Sequence, residues 1–140
     1  MDKLIEILIS ENLTCVVEQD GVLYRESNNG IVPMLNFVDQ GVLRNALVAD
    51  KVIGKAAAMM MVLGGVQKVS TDVISEYAYT YFQEHGIPVT YKKKVPYIIN
   101  RKKNGMCPME ECVMNIEDPK QAYTALCQKV EALKTAAKND

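Results

Sequence analysis

The chain has 140 residues, 49% hydrophobic and 24% charged, enough to bury the core of one globular domain spanning 1–140. A formal net charge of -1 leaves no electrostatic footprint for duplex nucleic acid. The longest apolar run, Ala56 to Leu63, is too short to cross a bilayer, and no secretory signal pattern follows Met1, so a cytoplasmic protein without a membrane partner is expected.

Leu4, Ile5, Leu8 and Ile9 recur at helical spacing and predict a helix from Asp2 to Glu11, capped by Asp2. Leu13 to Glu18 and Val22 to Glu26 are strands joined at the tight-turn dipeptide Asp20-Gly21. Ser27 to Gly30 is a loop. Val32 to Asp39 is a short helix with Pro33 in its first turn and Gly41 at its end. Alternation of strand and helix follows: strand Ala46 to Ala49, helix Lys51 to Leu63, strand Lys68 to Ile74, helix Ser75 to Glu84, strand Pro88 to Tyr91. Such short connections imply parallel strands with right-handed crossovers, and the hairpin adds an antiparallel pair at one side. Val95 to Asn100 is extended, Met109 to Ile116 a short helix, and Asp118-Pro119 opens a last helix running to about Lys134. The tail from Ala136 to Asp140 should fray. The architecture is α/β: a mixed sheet of about five strands with helices on both faces.

The helix predicted after Asp50 is apolar on nearly every side and must be buried, which leaves its first turn as its wet end. Asp50 is placed as its cap, Lys51 inside the first turn, and Lys55 one turn on, with Gly54 opening space for a ligand or another backbone. A helix start offers unpaired amides and partial positive charge, which suits an anion. Ser75 and Glu76 repeat this arrangement on the neighbouring unit. Both starts should lie beyond the carboxyl ends of adjacent strands, where ligands of open α/β sheets bind. Cys107 precedes Pro108 and is placed as the cap of the next helix, a position that favours a nucleophilic thiol; Cys15, Cys112 and Cys127 read as core. Arg101 closes an apolar stretch and is a candidate anion ligand. Lys92-Lys93-Lys94 reads as a solvated strand end, and His85 as a helix terminator. With one histidine and no C-x-x-C pair, no metal or other cofactor is expected.

The element order resembles the cytidine-deaminase-like fold, a three-layer α/β/α arrangement. More narrowly, Val48 to Ala57, Asp72 to Glu76, Val95 to Arg101 and Met106 to Glu110 resemble a small prokaryotic family of unknown function assigned to that superfamily. Zinc deaminases carry H-x-E at one helix start and P-C-x-x-C at the next. By this resemblance Asp50-Lys51-Val52 stands in the first place and Ser75-Glu76-Tyr77-Ala78 in the second, so the zinc ligands are gone and the pocket is refitted with Asp, Lys, Ser and Glu.

Three functions compete for this pattern. A metal-free enzyme acting on a small anionic or nucleotide-like ligand would use Lys51 as base or electrophile, Asp50 to orient it, and Cys107 as nucleophile. Gly54, Lys55, Ser75, Glu76 and Arg101 would hold the ligand. A non-catalytic binding module would use the same amides and lysines. An interaction protein would assemble through apolar surface and keep the pocket as a relic; the aromatic helix around Tyr77 to Phe82 suits a homodimer.

Overall fold

The computed structural model describes residues 2–99 and 105–139. Helix α1 (Asp2–Ser10) leads into the hairpin β1 (Cys15–Gln19) and β2 (Val22–Glu26), followed by α2 (Val32–Gln40). Then come β3 (Leu47–Ile53), α3 (Lys55–Gly64), β4 (Lys68–Ser75), α4 (Glu76–Glu84) and β5 (Val89–Val95). Helices α5 (Pro108–Val113) and α6 (Pro119–Asn139) close the order. The five strands form one sheet ordered β2-β1-β3-β4-β5. β1 pairs antiparallel with β2 and β3, while β3, β4 and β5 run parallel. The hairpin turns on Asp20 and Gly21, with φ of 51° and 82°, the paired positive values that match the twist of two antiparallel strands.

The sheet is covered unequally. Leu4 and Leu8 of α1 pack with Leu13 on Val16 and Ala49. On the opposite face the larger core gathers α2, α3, α4, α5 and α6 over Val17, Val48, Val69, Ile53 and Ile74. Val48 and Ile53, like Val69 and Ile74, reach this one core although the members of each pair are an odd number of positions apart. The in–out alternation therefore shifts once in both strands. α3 contacts α2, α4, α5 and α6, which is why a helix of alanines and methionines with no polar face is stable there.

Several boundaries differ from the sequence expectation. β5 runs on to Val95 instead of ending at Tyr91, and α5 ends at Val113 instead of Ile116. β3 does not end at Ala49: Val52 and Ile53 continue the ladder opposite Val73 and Ile74, so Asp50 and Lys51 belong to a strand. Asp50 is not a helix cap, and Lys51 is not in a first turn; α3 begins at Lys55 after Gly54. The uninterrupted apolar run hides the change from period two to period 3.6, and β-branched Val52 and Ile53 gain more from a parallel ladder than from a helix. At the other end, α6 is helical through Asn139, where fraying is expected from Ala136.

Candidate functional site

The true start of α3 has no cap of its own. Gly54 supplies no side chain, and its backbone is extended (φ -99°, ψ -179°). The acceptor comes from elsewhere in the chain: Glu110 takes the Lys55 N–H at 2.5 Å on Oε1 and the Ala56 N–H at 3.0 Å on Oε2. The carboxyl thus fulfils the role of a capping side chain and complements the positive end of the helix. Helix α5 aims it there. Pro108 sits in the first turn, and the Cys107 carbonyl accepts from the Glu110 and Glu111 amides at 2.9 and 3.1 Å. Glu110 is buried, and burial raises its pKa while the Ala56 and Lys55 amides and the Lys55 charge pull it back down.

Lys55 is only 5% exposed. Its Nζ donates to the Met114 carbonyl at 3.0 Å and to Glu117 Oε1 at 3.3 Å, so the charge is held among acceptors at the turn between α5 and α6. Ser75 is fully buried, and its Oγ accepts the Ala78 N–H at 3.0 Å as an ordinary N-cap. Ile53 lies opposite Ile74 in the ladder, so the starts of α3 and α4 do open side by side at the carboxyl edge of the sheet.

A groove of about 260 Å³ lies beside these starts, with Lys55, Glu76, Tyr77, Tyr81, Glu84 and Glu117 on its walls. Three carboxylates against one buried ammonium make it acidic. Tyr81 ties its two sides together: the hydroxyl donates to the Glu117 carbonyl at 2.9 Å. Burial, with Glu117, Asp118 and Glu84 nearby, pushes that phenol up to about 12. His85 closes α4 by stacking on Tyr81 (4.2 Å) and setting Nδ1 2.9 Å from the Tyr81 carbonyl.

The structure therefore brings Lys55, Ser75 and Glu76 together and leaves three other candidates aside. Asp50 lies on β3 directly opposite Cys15 of β1, and burial raises its pKa to about 7 against hydrogen bonds from the Val52 and Lys51 amides and Cys15. The Cys15 thiol is raised by the same burial and by the Asp50 charge. Lys51 is exposed on β3. Cys107 is half-buried at the head of α5 and does not line the groove. Arg101 lies outside the described residues. Sequence reasoning missed Glu110 as the cap of a distant helix, together with Tyr81, Glu84 and Glu117. The signal available was a helix start at Gly54-Lys55 with no Ser, Thr, Asp or Asn before it, which requires an acceptor from another element.

The fold and site define an α/β protein with a mixed five-stranded sheet, in which a glutamate from a later helix seals the start of the buried central helix. The chain belongs to the family described as a domain of unknown function, DUF1893, which matches residues 3–130. Its structure is similar to the crystal structure of a DUF1893 family protein from Thermotoga maritima, with a TM-score of 0.85 and 24% identity. That likeness covers 91% of this chain and 88% of the other, and it extends to the fold. No curated protein matches the sequence.

Proposed function

We propose that this protein is a cytoplasmic, non-catalytic binding module of cytidine-deaminase-like architecture, and that its acidic groove recognises an ammonium group carried by its ligand. One observation carries the reading: the Glu110 carboxylate already occupies the amides of Lys55 and Ala56. The anion position at the head of α3 is filled by the chain itself, so a phosphate or carboxylate ligand would have to expel a buried glutamate. What remains open is the groove, whose carboxylates Glu76, Glu84 and Glu117 attract a cation. The exposed Tyr77 ring adds a face on which an ammonium can rest.

Because α3 begins at Lys55, a deaminase-like reading would move the first zinc-binding place from Asp50-Lys51-Val52 to Gly54-Lys55-Ala56-Ala57. These residues do not fit a zinc ion. Lys55 presents an ammonium there, and the Ser75 hydroxyl is committed to its cap. Among the described residues no group of three His, Cys, Asp or Glu side chains is placed to hold a metal.

A thermal-shift comparison tests the proposal. Spermidine should raise the melting temperature of the wild type and leave a Glu76→Gln/Glu84→Gln variant unmoved, because a ligand bound to the folded form stabilises it by mass action. AMP and inorganic phosphate should have no effect. Stabilisation by AMP or phosphate, with none by spermidine, would reverse the assignment.

The enzymatic reading keeps one observation in its favour, the Asp50 carboxyl with its pKa near 7, a value suited to a general base. It ranks second because Asp50 lies within the sheet beside Cys15 and does not line the groove.

A further inference from the structure

Strand β5 is the edge of the sheet; among the described residues it pairs with β4 alone. It carries Lys92, Lys93 and Lys94 in succession, all exposed. Their setting is partly organised. Lys92 reaches Asp72 at 3.6 Å, and the Lys94 ammonium sits 4.5 Å from the centre of the Tyr79 ring, which meets Tyr91 edge-on at 5.4 Å. Tyr79 belongs to α4, and the exposed side of α4 carries Glu76, one turn before Tyr79, and Glu84 on the wall of the acidic groove. One short helix therefore separates a basic edge from an acidic hollow.

We propose that the basic edge of β5 docks into the acidic groove of a second copy of this chain, and reciprocally, about a two-fold axis passing near the exposed face of α4. This rests on the reading of the groove as an ammonium site and names the partner that supplies the ammonium groups. Charge complementarity selects this occupant. Edge-to-edge pairing of β5 with β5 would oppose lysine to lysine, the arrangement by which natural edges resist self-association. A two-fold operation through α4 instead carries each basic edge over the other copy's carboxylates, so one contact is made twice. Thr80 and Tyr77, exposed on α4, fall at the centre of such an interface.

Sedimentation velocity at about 50 mM and about 1 M salt tests it, since exposed ion pairs are screened over a few ångströms at the higher strength. The wild type should be a dimer at low salt and dissociate at high salt. Lys93→Glu/Lys94→Glu and Glu76→Lys/Glu84→Lys should each weaken the dimer at least roughly tenfold, because each opposes like charges at both contacts. Mixed together, the two variants should form a heterodimer. In it the lysines introduced on α4 of one chain meet the glutamates introduced on β5 of the other, while the two unaltered surfaces meet each other. A monomeric wild type at low salt, dimers that persist in both variants, or a mixture that fails to associate would each overturn the proposal. Spermidine separates this failure from failure of the underlying reading. The Lys93→Glu/Lys94→Glu variant keeps its groove, so a thermal shift with spermidine in that variant leaves the ammonium site standing whatever the oligomeric state. No shift in that variant removes the ammonium site, and the sedimentation of the two variants and their mixture then decides the dimer alone.

Discussion

The Glu110 carboxyl lies against the bare Cα of Gly54, in the space that a side chain at position 54 would occupy. Glycine is required there for close approach and not for an unusual backbone angle, since Gly54 is extended. The contact joins α5 to the start of α3.

Gly54→Ala should therefore destabilise the protein by roughly 1–3 kcal/mol, because the added methyl overlaps the carboxyl that caps Lys55 and Ala56 and displaces it. Glu110→Ala should cost about 1–3 kcal/mol by leaving two buried amides without their acceptor. The double variant should cost less than the sum, since removing the carboxyl removes the collision. Urea denaturation of the four proteins measures this; strict additivity would show that the two residues do not share the space.

Lys51→Met and Lys55→Met should behave oppositely. Lys51 is exposed on β3, so its replacement should change stability by no more than about 0.5 kcal/mol and leave spermidine binding intact. Lys55→Met strips the Met114 carbonyl and Glu117 of their donor and should cost roughly 1–3 kcal/mol. Denaturant midpoints and thermal shifts of both variants decide whether the head of the site is Lys55 or Lys51.

Asp50 predicts a pH dependence. Its pKa rises from 3.8 to about 7 in the folded state, so between these values the native protein binds more protons than the unfolded chain. Stability is then greatest near pH 4 on this account and falls as pH rises towards 7, by up to about 4 kcal/mol from this residue. Raised Glu110 adds a slope of the same sign. Asp50→Asn should flatten the profile and raise the melting temperature above pH 7 relative to the wild type. A wild-type profile that climbs from pH 4 to 7 would contradict the assignment.

Tyr81→Phe removes the hydrogen bond to the Glu117 carbonyl and should cost about 1 kcal/mol. With its pKa near 12, the hydroxyl remains a donor throughout the neutral range, so this loss should not vary between pH 6 and 8. The turn that holds Glu117 at the rim loosens with it, and spermidine should bind more weakly. Unchanged binding would place the recognition on Glu76 and Glu84 alone.

Local pattern was enough to establish the hairpin, through Asp20-Gly21, and the burial of α3, through a run with no polar face. It also established the alternation that makes β3, β4 and β5 parallel neighbours. These follow from turn chemistry and from the period of apolar residues, both of which act over a few positions. The cap of Ser75 on α4 was legible for the same reason. Where α3 begins depended on packing, because Val52 and Ile53 fit a helix or a strand equally well until β4 lies beside them. Packing also set Glu110 on the head of α3, 55 residues away in the chain, where it takes the amides that an outside anion would otherwise meet. No local pattern records a hydrogen bond between elements so distant, since its partners become neighbours only when the helices pack.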